Sequence, residues 1–400
     1  MKFAHLADCH LGGWRDPKLR LANLEAFCRA VDECVEAQVD FVIIAGDLFN
    51  TSLPALDILK SAVTKLRLLA DKGIPVYCVP GSHDFSPSGK SMLEILEEAG
   101  LLINVVKGDV VEGKLRLRFT VDKKTGAKLT GMLGRRGSLE KGYFESMDTQ
   151  SLEQEQGFKI FVFHSAVEEL KPQGLDKLSA MPLSLLPKGF SYYAGGHVHA
   201  PSQTTLEGYG LIAFPGPLFP NSFSELEELE RGQFLINEDS NVKARQIQLY
   251  NVTILNADAE HKAPEQVTAD LMAQTEGKEF AQCIVLIRVR GVLGQGKPSD
   301  IAFTEIFAEL YRKSAFVVLK NTASLSSKEF EDVRVQESTV AELEDRLVRE
   351  HEGQMQGKVS ILVKELMQVL DLEKAEDERR KDFEQRLVKA ASPVLEAKGI

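Results

Sequence analysis

The chain of 400 residues is poor in cysteine and has no long apolar run. Its five cysteines are an odd number and include no CxxC pair, so the sequence indicates neither a disulfide framework nor a thiolate zinc site. No apolar stretch reaches the roughly 18 to 20 residues that a membrane-spanning helix needs, and the first residues, MKFAHLADCHL, are too polar for a secretory signal. We therefore expect a cytoplasmic protein without a membrane partner.

Positive charge is scarce too, because 48 Lys and Arg stand against 59 Asp and Glu, a net charge of −11. This balance argues against a uniformly basic nucleic-acid-binding surface. Between Lys107 and Lys141, however, ten basic residues face four acidic ones, a local balance of +6. Within that segment Lys114, Arg116 and Arg118 alternate along a predicted strand and share one face. The stripe either follows a phosphate backbone or is the solvated face of a β-hairpin, and the pattern leaves both open.

Strand and helix signals alternate through the first hundred residues. The segments KFAHLAD, FVIIAGD and PVYCVPG are predicted strands, and apolar residues at helical spacing lie between them. This βαβαβ order predicts a parallel sheet with helices packed on it. The later segments KIFVFH, YYAGGH, LIAFPG, QFLIN and RQIQLY are strand-like with few helices between them. We therefore predict an α/β fold, a two-sheet sandwich flanked by helices.

Polar side chains suited to metal binding or proton transfer follow the C-terminal ends of these strands, and five of the eight histidines are among them. The candidates in chain order are Asp8, His10, Asp47, Ser82, His83, Asp84, His164, His197 and His199. Imidazole and carboxylate groups without thiolates suit a divalent ion such as Mn²⁺, Fe²⁺ or Zn²⁺. An aspartate shared by two ions holds them about 3.5 to 4 Å apart, the arrangement used for phosphoester cleavage.

Each of these motifs also has an ordinary structural explanation. A DxH pair at a strand end can be a turn, and Asp47 after Ala-Gly can be a helix N-cap or an Asx turn. The pair His197 and His199 is more specific, because alternation along a strand points both rings to one side. His5 lies inside its strand, which favours a hydrogen-bonded core histidine over a ligand.

The order of the motifs, DxH, GD, HD, H and GHxH, resembles the calcineurin-like metallophosphoesterase superfamily. Within it, FAHLADCHLGG, IIAGDLFN, VPGSHDF and AGGHVHAP are similar to the nuclease-subunit family of prokaryotic, in particular archaeal, double-strand-break repair complexes of the meiotic-recombination type. The similarity covers about residues 1–255. It implies a Mn²⁺-dependent DNA nuclease, with 3′-to-5′ exonuclease and single-strand endonuclease activity, that processes double-strand breaks together with an ABC-type coiled-coil ATPase.

The resemblance implies two Mn²⁺ ions per chain, with Asp47 as the bridging ligand. One ion would be held by Asp8, His10, Asp47 and His199, and the other by Asp47, Ser82, His164 and His197. Ser82 stands where the family has an Asn ligand. His83 would lie beside the scissile phosphate, where it stabilises developing charge or protonates the leaving 3′ oxygen, and Asp84 would orient its ring.

The resemblance also implies a domain organisation and partners. Residues 1–255 would form the nuclease domain, residues 256–335 a small α/β capping domain that grips DNA, and residues 336–400 a helical segment that docks on the ATPase. The helical segment has three apolar stripes, beginning at Val340, Leu362 and Phe383. Its helices can instead fold back on the capping domain. A homodimer associated with the nucleoid, acting on double-strand ends and single strands, completes the implied picture.

Two classes of function follow. The first is the Mn²⁺-dependent nuclease, and the alternative is a DNA-end or ATPase-binding scaffold whose second metal site is weakened by Ser82. A phosphatase of small phosphoesters is disfavoured by the basic segment and the helical tail. Metal analysis of the purified protein with a nuclease assay in Mn²⁺ separates these functions.

Overall fold

The structure is a computed structural model that describes residues 1–85, 91–172, 174, 178–328, 366, 369–370, 372 and 380–396. The strands are β1 Lys2–Leu6, β2 Phe41–Ala45, β3 Val76–Val79, β4 Ile103–Asn104, β5 Gly108–Val111, β6 Lys114–Leu117, β7 Thr120–Val121, β8 Lys128–Met132, β9 Lys159–His164, β10 Tyr192–Gly196, β11 Ser202–Thr205, β12 Leu211–Phe214, β13 Gly232–Glu238, β14 Asn241–Ile247, β15 Asn251–Asp258, β16 Cys283–Leu293 and β17 Val317–Ser327. The helices are α1 Pro17–Glu36, α2 Leu56–Asp71, α3 Met92–Glu98, α4 Lys141–Glu145, α5 Thr149–Gln154, α6 Phe223–Leu229, α7 Pro264–Ala273, α8 Phe303–Arg312 and α9 Arg380–Glu396.

Two six-stranded sheets confirm the predicted sandwich. The first has the order β14-β13-β1-β2-β3-β4 and the second the order β11-β12-β10-β9-β8-β7. Strands β1 to β4 run parallel, as the alternation of strand and helix predicted, and so do β8, β9, β10 and β12. Helix α1 starts sharply because Pro17 occupies its first turn and Asp16 accepts hydrogen bonds from the Lys18 and Leu19 amides.

The two sheets face each other across a closed apolar layer. Phe3 and Phe41 stack at 5.1 Å between ring centroids, and Tyr192 of the opposite sheet meets Phe3 edge-on at 5.1 Å. His5 lies in this layer, where its Nδ1 is 2.9 Å from the Tyr192 hydroxyl. Burial lowers the pKa of His5 to about 3, so the ring is neutral. The expectation of a core histidine is confirmed.

The strand ends that carry the candidate residues meet at one edge of the sandwich. His164 at the end of β9 reaches across to β2, and its Nδ1 lies 2.9 Å from the Ala45 carbonyl oxygen. The approach is close enough to require glycine. A Cβ atom on Gly196 would lie 1.9 Å from the same oxygen. The ends of β9 and β2 can therefore come within hydrogen-bonding distance because Gly196 has no side chain.

The basic stripe lies on a separate two-stranded hairpin of β5 and β6. Arg116 pairs with Asp148 at 3.1 Å and Arg118 with Asp109 at 3.6 Å. Both guanidinium groups are more than half exposed. The stripe thus lies on an exposed hairpin, two of its cations already have carboxylate partners, and its role toward a phosphate backbone stays a prediction.

A third sheet of β15, β16 and β17 follows the sandwich, with α7 and α8 between its strands. Residues 1–258, 265–290 and 301–324 form one compact unit, and residues 259–264, 291–300 and 325–400 a second. The compact unit that contains the sandwich thus includes residues beyond 255. The division into nuclease, capping and helical domains stays a prediction.

The C-terminal segment is described only in part. Its third predicted stripe, at Phe383, Leu387 and Ala391, lies on α9. In the second stripe Leu366, Val369 and Leu370 are helical. Leu362 and the whole first stripe lie outside the described residues. Within the described ranges no helix has the length and apolarity to cross a membrane.

We predict that Phe27→Ala lowers the free energy of unfolding by about 3–5 kcal/mol, because Phe27 on α1 is fully buried and its loss leaves a cavity. Leu56→Ala on α2 is the control, since Leu56 is 81% exposed, and we expect a change within ~0.5 kcal/mol. Urea unfolding followed by the fluorescence of Trp14, the single tryptophan, measures both. Equal effects of the two substitutions would contradict the described core.

Candidate metal centre

The loops after β1, β2 and β10 hold the candidate side chains in a restricted backbone conformation. Asp8, His10, Asp47 and His197 have φ of +50°, +43°, +51° and +81°, in the left-handed region that non-glycine residues rarely adopt. The first two loops also pair with each other, because the His10 amide donates to the Asp47 carbonyl at 2.9 Å. Such strain is kept where the surrounding structure requires a particular side-chain direction.

One group of ligand atoms comes from Asp8, His10 and His199, which offer atoms within 4.8 Å of one another. The Nε2 atoms of His10 and His199 are 3.2 Å apart, and His199 Nε2 is 3.6 Å from Asp8 Oδ1. On its other side, His199 Nδ1 lies 3.1 Å from Glu225 Oε2. Glu225 thereby fixes the ring so that Nε2 points to the group.

A second group comes from Asp8, Asp47 and His164, again within 4.8 Å of one another. Because a carbonyl oxygen can only accept, His164 Nδ1 donates to Ala45, and its Nε2 carries the lone pair of the neutral ring. That Nε2 makes no hydrogen bond within the described part of the chain and lies 3.2 Å from Asp47 Oδ2. A ring nitrogen this close to a carboxylate oxygen needs a positive charge between the two atoms, either a proton or a metal ion.

Asp8 belongs to both groups, and one oxygen of Asp47 also lies between them. Its Oδ1 accepts a hydrogen bond from the His83 amide at 2.8 Å. Its Oδ2 lies 3.2 Å from His164 Nε2 and 3.6 Å from His10 Nε2. Ser82 Oγ is 3.5 Å from the same oxygen. The arrangement suits a carboxylate that is shared between two cations.

The electrostatics of the centre favour positive charge. Burial disfavours a charged ring at His164 and at His199, but nearby carboxylates outweigh it. Asp47 and Asp8 raise the pKa of His164 to about 9, and Asp8 and Glu225 raise the pKa of His199 to about 10. Without metal, protons on these two rings balance the buried carboxylates. Divalent cations can replace those protons, because metal binding at histidine releases them.

The residues present therefore fit a pair of divalent cations. The ligand atoms are imidazole nitrogens and carboxylate oxygens, the set that suits Mn²⁺, Fe²⁺ or Zn²⁺. His197 lies beside the second group, with its ring centroid 5.1 Å from that of His164. Its amide donates to Asp8 at 3.0 Å. The structure thus brings together every predicted ligand, with His197 and Ser82 adjacent to the groups rather than counted in them.

His83 stands next to the centre, with its ring centroid 4.8 Å from that of His10. Its Nδ1 lies 2.9 Å from the Asn50 carbonyl oxygen, so Nδ1 carries the proton and Nε2 is available. We expected Asp84 to orient this ring, and the structure corrects that expectation. Asp84 is 1% exposed and turned inward, where it accepts hydrogen bonds from the amides of Leu48, Phe49 and Gly81.

The role of Asp84 is to hold two loops together. Burial and the charge of Asp47 raise the pKa of Asp84 to about 7. Its three amide partners come from the loops after β2 and β3, which carry Asp47 and His83. Asp84 therefore fixes the spacing between Asp47 and His83 from a buried position.

Two residues of the site, Glu225 and Asn50, were not predicted from the sequence. Glu225 belongs to the capping box of α6, since the Ser222 side chain accepts from the Glu225 amide and Glu225 accepts from the Asn221 amide. The Ser-x-x-Glu spacing was visible as a helix start. Its contact with His199 joins distant parts of the chain, and no local pattern signals it. Asn50 acts through its carbonyl oxygen, which any residue supplies.

A family model described as calcineurin-like phosphoesterase matches residues 1–201, which include every predicted ligand. The chain belongs to this family. The match agrees with the two-sheet fold and with paired metal groups at the sheet edge. The description of this family names phosphoesterases, and paired ligand groups of this kind suit the metal-assisted cleavage of a phosphoester bond.

Three curated relatives bear the name DNA double-strand break repair protein Mre11. The protein from Archaeoglobus fulgidus is 34% identical over 239 residues, which are 58% of this chain and 53% of that protein. The protein from Methanococcus maripaludis is 28% identical over 58% of this chain and 60% of its own. The protein from Sulfolobus acidocaldarius is 26% identical over 77% of this chain and 79% of its own. The chain spans 53% and 60% of the length of the first two relatives.

We predict that Glu225→Gln weakens Mn²⁺ binding about 10- to 100-fold, because it removes the charge that supports the His199 ring. Glu228→Gln makes the same chemical change at an exposed position of α6 and serves as the control. Calorimetric titration of Mn²⁺ into the metal-free proteins measures both affinities. Equal affinities of the two variants would show that Glu225 only caps its helix.

Proposed function

We propose that this chain is a Mn²⁺-dependent DNA nuclease that acts as a 3′-to-5′ exonuclease and single-strand endonuclease. The observation that carries the proposal is that Asp47 Oδ2 faces one histidine of each ligand group, at 3.6 Å from His10 Nε2 and 3.2 Å from His164 Nε2, with the His83 imidazole next to His10. Two bound cations would supply Lewis acidity and an activated nucleophile for an in-line displacement at phosphorus. The names of the three relatives support DNA as the phosphodiester substrate.

Each side chain has a role in this proposal. One ion is held by Asp8, His10, Asp47 and His199, and the other by Asp47, His164 and His197. Ser82 lies beside the bridging oxygen at 3.5 Å and is a weak ligand, since a neutral hydroxyl is a poor partner for a hard divalent ion. Occupancy of the second position therefore depends mainly on Asp47, His164 and His197.

His83 acts on the substrate rather than on the ions. Asn50 keeps the proton on Nδ1, so Nε2 is the atom that delivers a second proton when the ring is charged. We assign that proton to the leaving 3′ oxygen, which must be neutralised as its bond to phosphorus breaks. The ring is held by its contact with Asn50 and by the backbone bond from its amide to Asp47.

The proposed partners follow from the relatives and from the helical tail. The chain would process double-strand ends and single strands as a homodimer associated with the nucleoid. Residues 336–400 would dock on an ABC-type coiled-coil ATPase, and α9 within that segment carries the stripe of Phe383, Leu387 and Ala391. The alternative, a scaffold with a weakened metal site, is less well supported. The centre keeps both the shared carboxylate of Asp47 and the histidines that would each hold one ion.

The experiment that tests the nuclease is Asp47→Ala. We predict loss of nuclease activity in Mn²⁺ and of most bound metal, since one oxygen faces both ligand groups. Activity is measured on a labelled oligonucleotide and metal content by plasma mass spectrometry. A variant that retains activity would rule out the shared carboxylate, and a wild-type protein that binds metal without cleaving DNA would favour the scaffold.

We predict that His83→Ala lowers the rate of cleavage by a factor on the order of 10² or more and leaves the metal content unchanged. The metal content decides the role of the ring, because a His83 nitrogen lies within 4.8 Å of ligand atoms of His10 and Asp47. Loss of metal from the variant would make His83 a ligand instead of a proton donor.

A further inference from the structure

A cavity of about 270 Å³ opens directly beside His83. Its wall includes the basic pair Arg135 and Arg136 and the apolar side chains of Phe85 and Leu139. Leu139 is 63% exposed, an unusual position for a large apolar residue unless something covers it. Positive charge next to apolar surface is the combination that holds single-stranded nucleic acid, through phosphate contacts and base stacking.

Arg135 is held in place without losing its charge. Its guanidinium carbon lies 4.7 Å from the ring centroid of Phe85 and 5.7 Å from that of Tyr143. One of its terminal nitrogens donates to the Tyr143 hydroxyl at 2.9 Å. Aromatic faces and a hydroxyl orient a guanidinium but do not neutralise it. Its Nε is buried and makes no hydrogen bond to any described residue.

The other cations of the basic segment are mostly neutralised. Carboxylates lie within ion-pair distance of six of its ten basic residues, namely Lys107, Arg116, Arg118, Lys124, Lys128 and Lys141. Among the described residues, the other four have no such partner, namely Lys114, Lys123, Arg135 and Arg136. Of these four, Arg135 and Arg136 line the cavity beside His83, so positive charge is free for a ligand next to the metal centre.

The part of the metal centre at His197 and His199 has a different character. A second cavity of about 540 Å³ is lined by His197, His199 and Glu225, together with apolar side chains such as Leu178 and Leu229. A carboxylate there disfavours a run of phosphates. The two sides of the metal centre thus differ in charge, and a polynucleotide chain is favoured on the side of His83.

We propose that the cavity of Arg135 and Arg136 binds the strand that the enzyme retains, at the phosphate directly 5′ to the scissile one. The proposal rests on the nuclease function proposed above. In hydrolysis, water adds to phosphorus, the bond between phosphorus and O3′ breaks, and O3′ takes a proton and stays on the retained strand. His83 gives that proton, so the retained strand leaves the centre on the His83 side, where Arg135 meets its next phosphate and Leu139 covers its last base.

The test removes the charge first from the DNA phosphate and then from Arg135. The substrate is a single-stranded oligonucleotide with a neutral methylphosphonate at the linkage directly 5′ to the scissile bond. For the wild-type protein we expect KM to rise about tenfold with this substrate, the loss of one charge-assisted contact. Arg135→Gln should raise KM by a similar factor with the unmodified strand. In this variant the methylphosphonate should change KM by less than about a further twofold, because the contact is already lost.

One control changes the DNA at a distant linkage, and another changes a different cation of the protein. A methylphosphonate six linkages upstream and the substitution Lys141→Gln, at an exposed cation paired with Glu145, should leave KM unchanged. Arg135→Lys keeps the charge but loses the planar stacking, and it should recover part of the affinity. Arg136→Gln, at an exposed position, is the second variant if Arg135→Gln does not fold.

The outcomes separate this proposal from the function on which it rests. If the methylphosphonate raises KM equally in the wild-type protein and in both arginine variants, the cavity does not bind that phosphate, although the nuclease stands. If the wild-type protein hydrolyses bis(p-nitrophenyl) phosphate in Mn²⁺ but leaves oligonucleotides intact, both proposals are overturned. If the methylphosphonate and Arg135→Gln together raise KM by less than the product of their separate effects, the result supports a contact between Arg135 and that phosphate.

Discussion

Buried negative charge at the edge of the sandwich is the constraint on which the rest of the structure depends. Asp8 and Asp47 are 0% and 2% exposed, and a carboxylate removed from water must be compensated by positive charge. The chain meets this requirement by placing imidazole nitrogens against the carboxylates, and those carboxylates raise the pKa values of His164 and His199. A divalent ion meets the demand more completely than a proton, because it carries two charges.

The fold is arranged to keep that charge cluster dry and close. Parallel strands place the loops of both sheets at one edge, and glycines let the loops touch. A Cβ on Gly81 would lie 2.2 Å from Asp47 Oδ1, and one on Gly46 would lie 2.2 Å from His164 Nδ1. Asp84 then ties the loops together through three backbone amides. This close approach also requires a strained, left-handed backbone at Asp8, His10, Asp47 and His197.

Local patterns predicted the parallel strands of the first sheet, because strand and helix signals alternate there, and they placed the candidate ligands together, because polar residues follow those strands directly. Contacts between distant segments were beyond such patterns. Glu225 supports His199 from a helix whose sequence signals only a cap, and Asn50 replaces Asp84 as the partner of His83 through a backbone atom. The basic segment was visible, but which of its cations stay unpaired depends on carboxylates such as Asp148 that only the fold brings near.

The central claim is that the buried carboxylates hold two cations that share Asp47. Anomalous diffraction at the manganese edge from crystals grown with Mn²⁺ tests it most directly. The account predicts two peaks about 3.5 to 4 Å apart, one next to His10 and His199 and the other next to His164, with an Asp47 oxygen between them. A single peak, or two peaks without Asp47 between them, would contradict it.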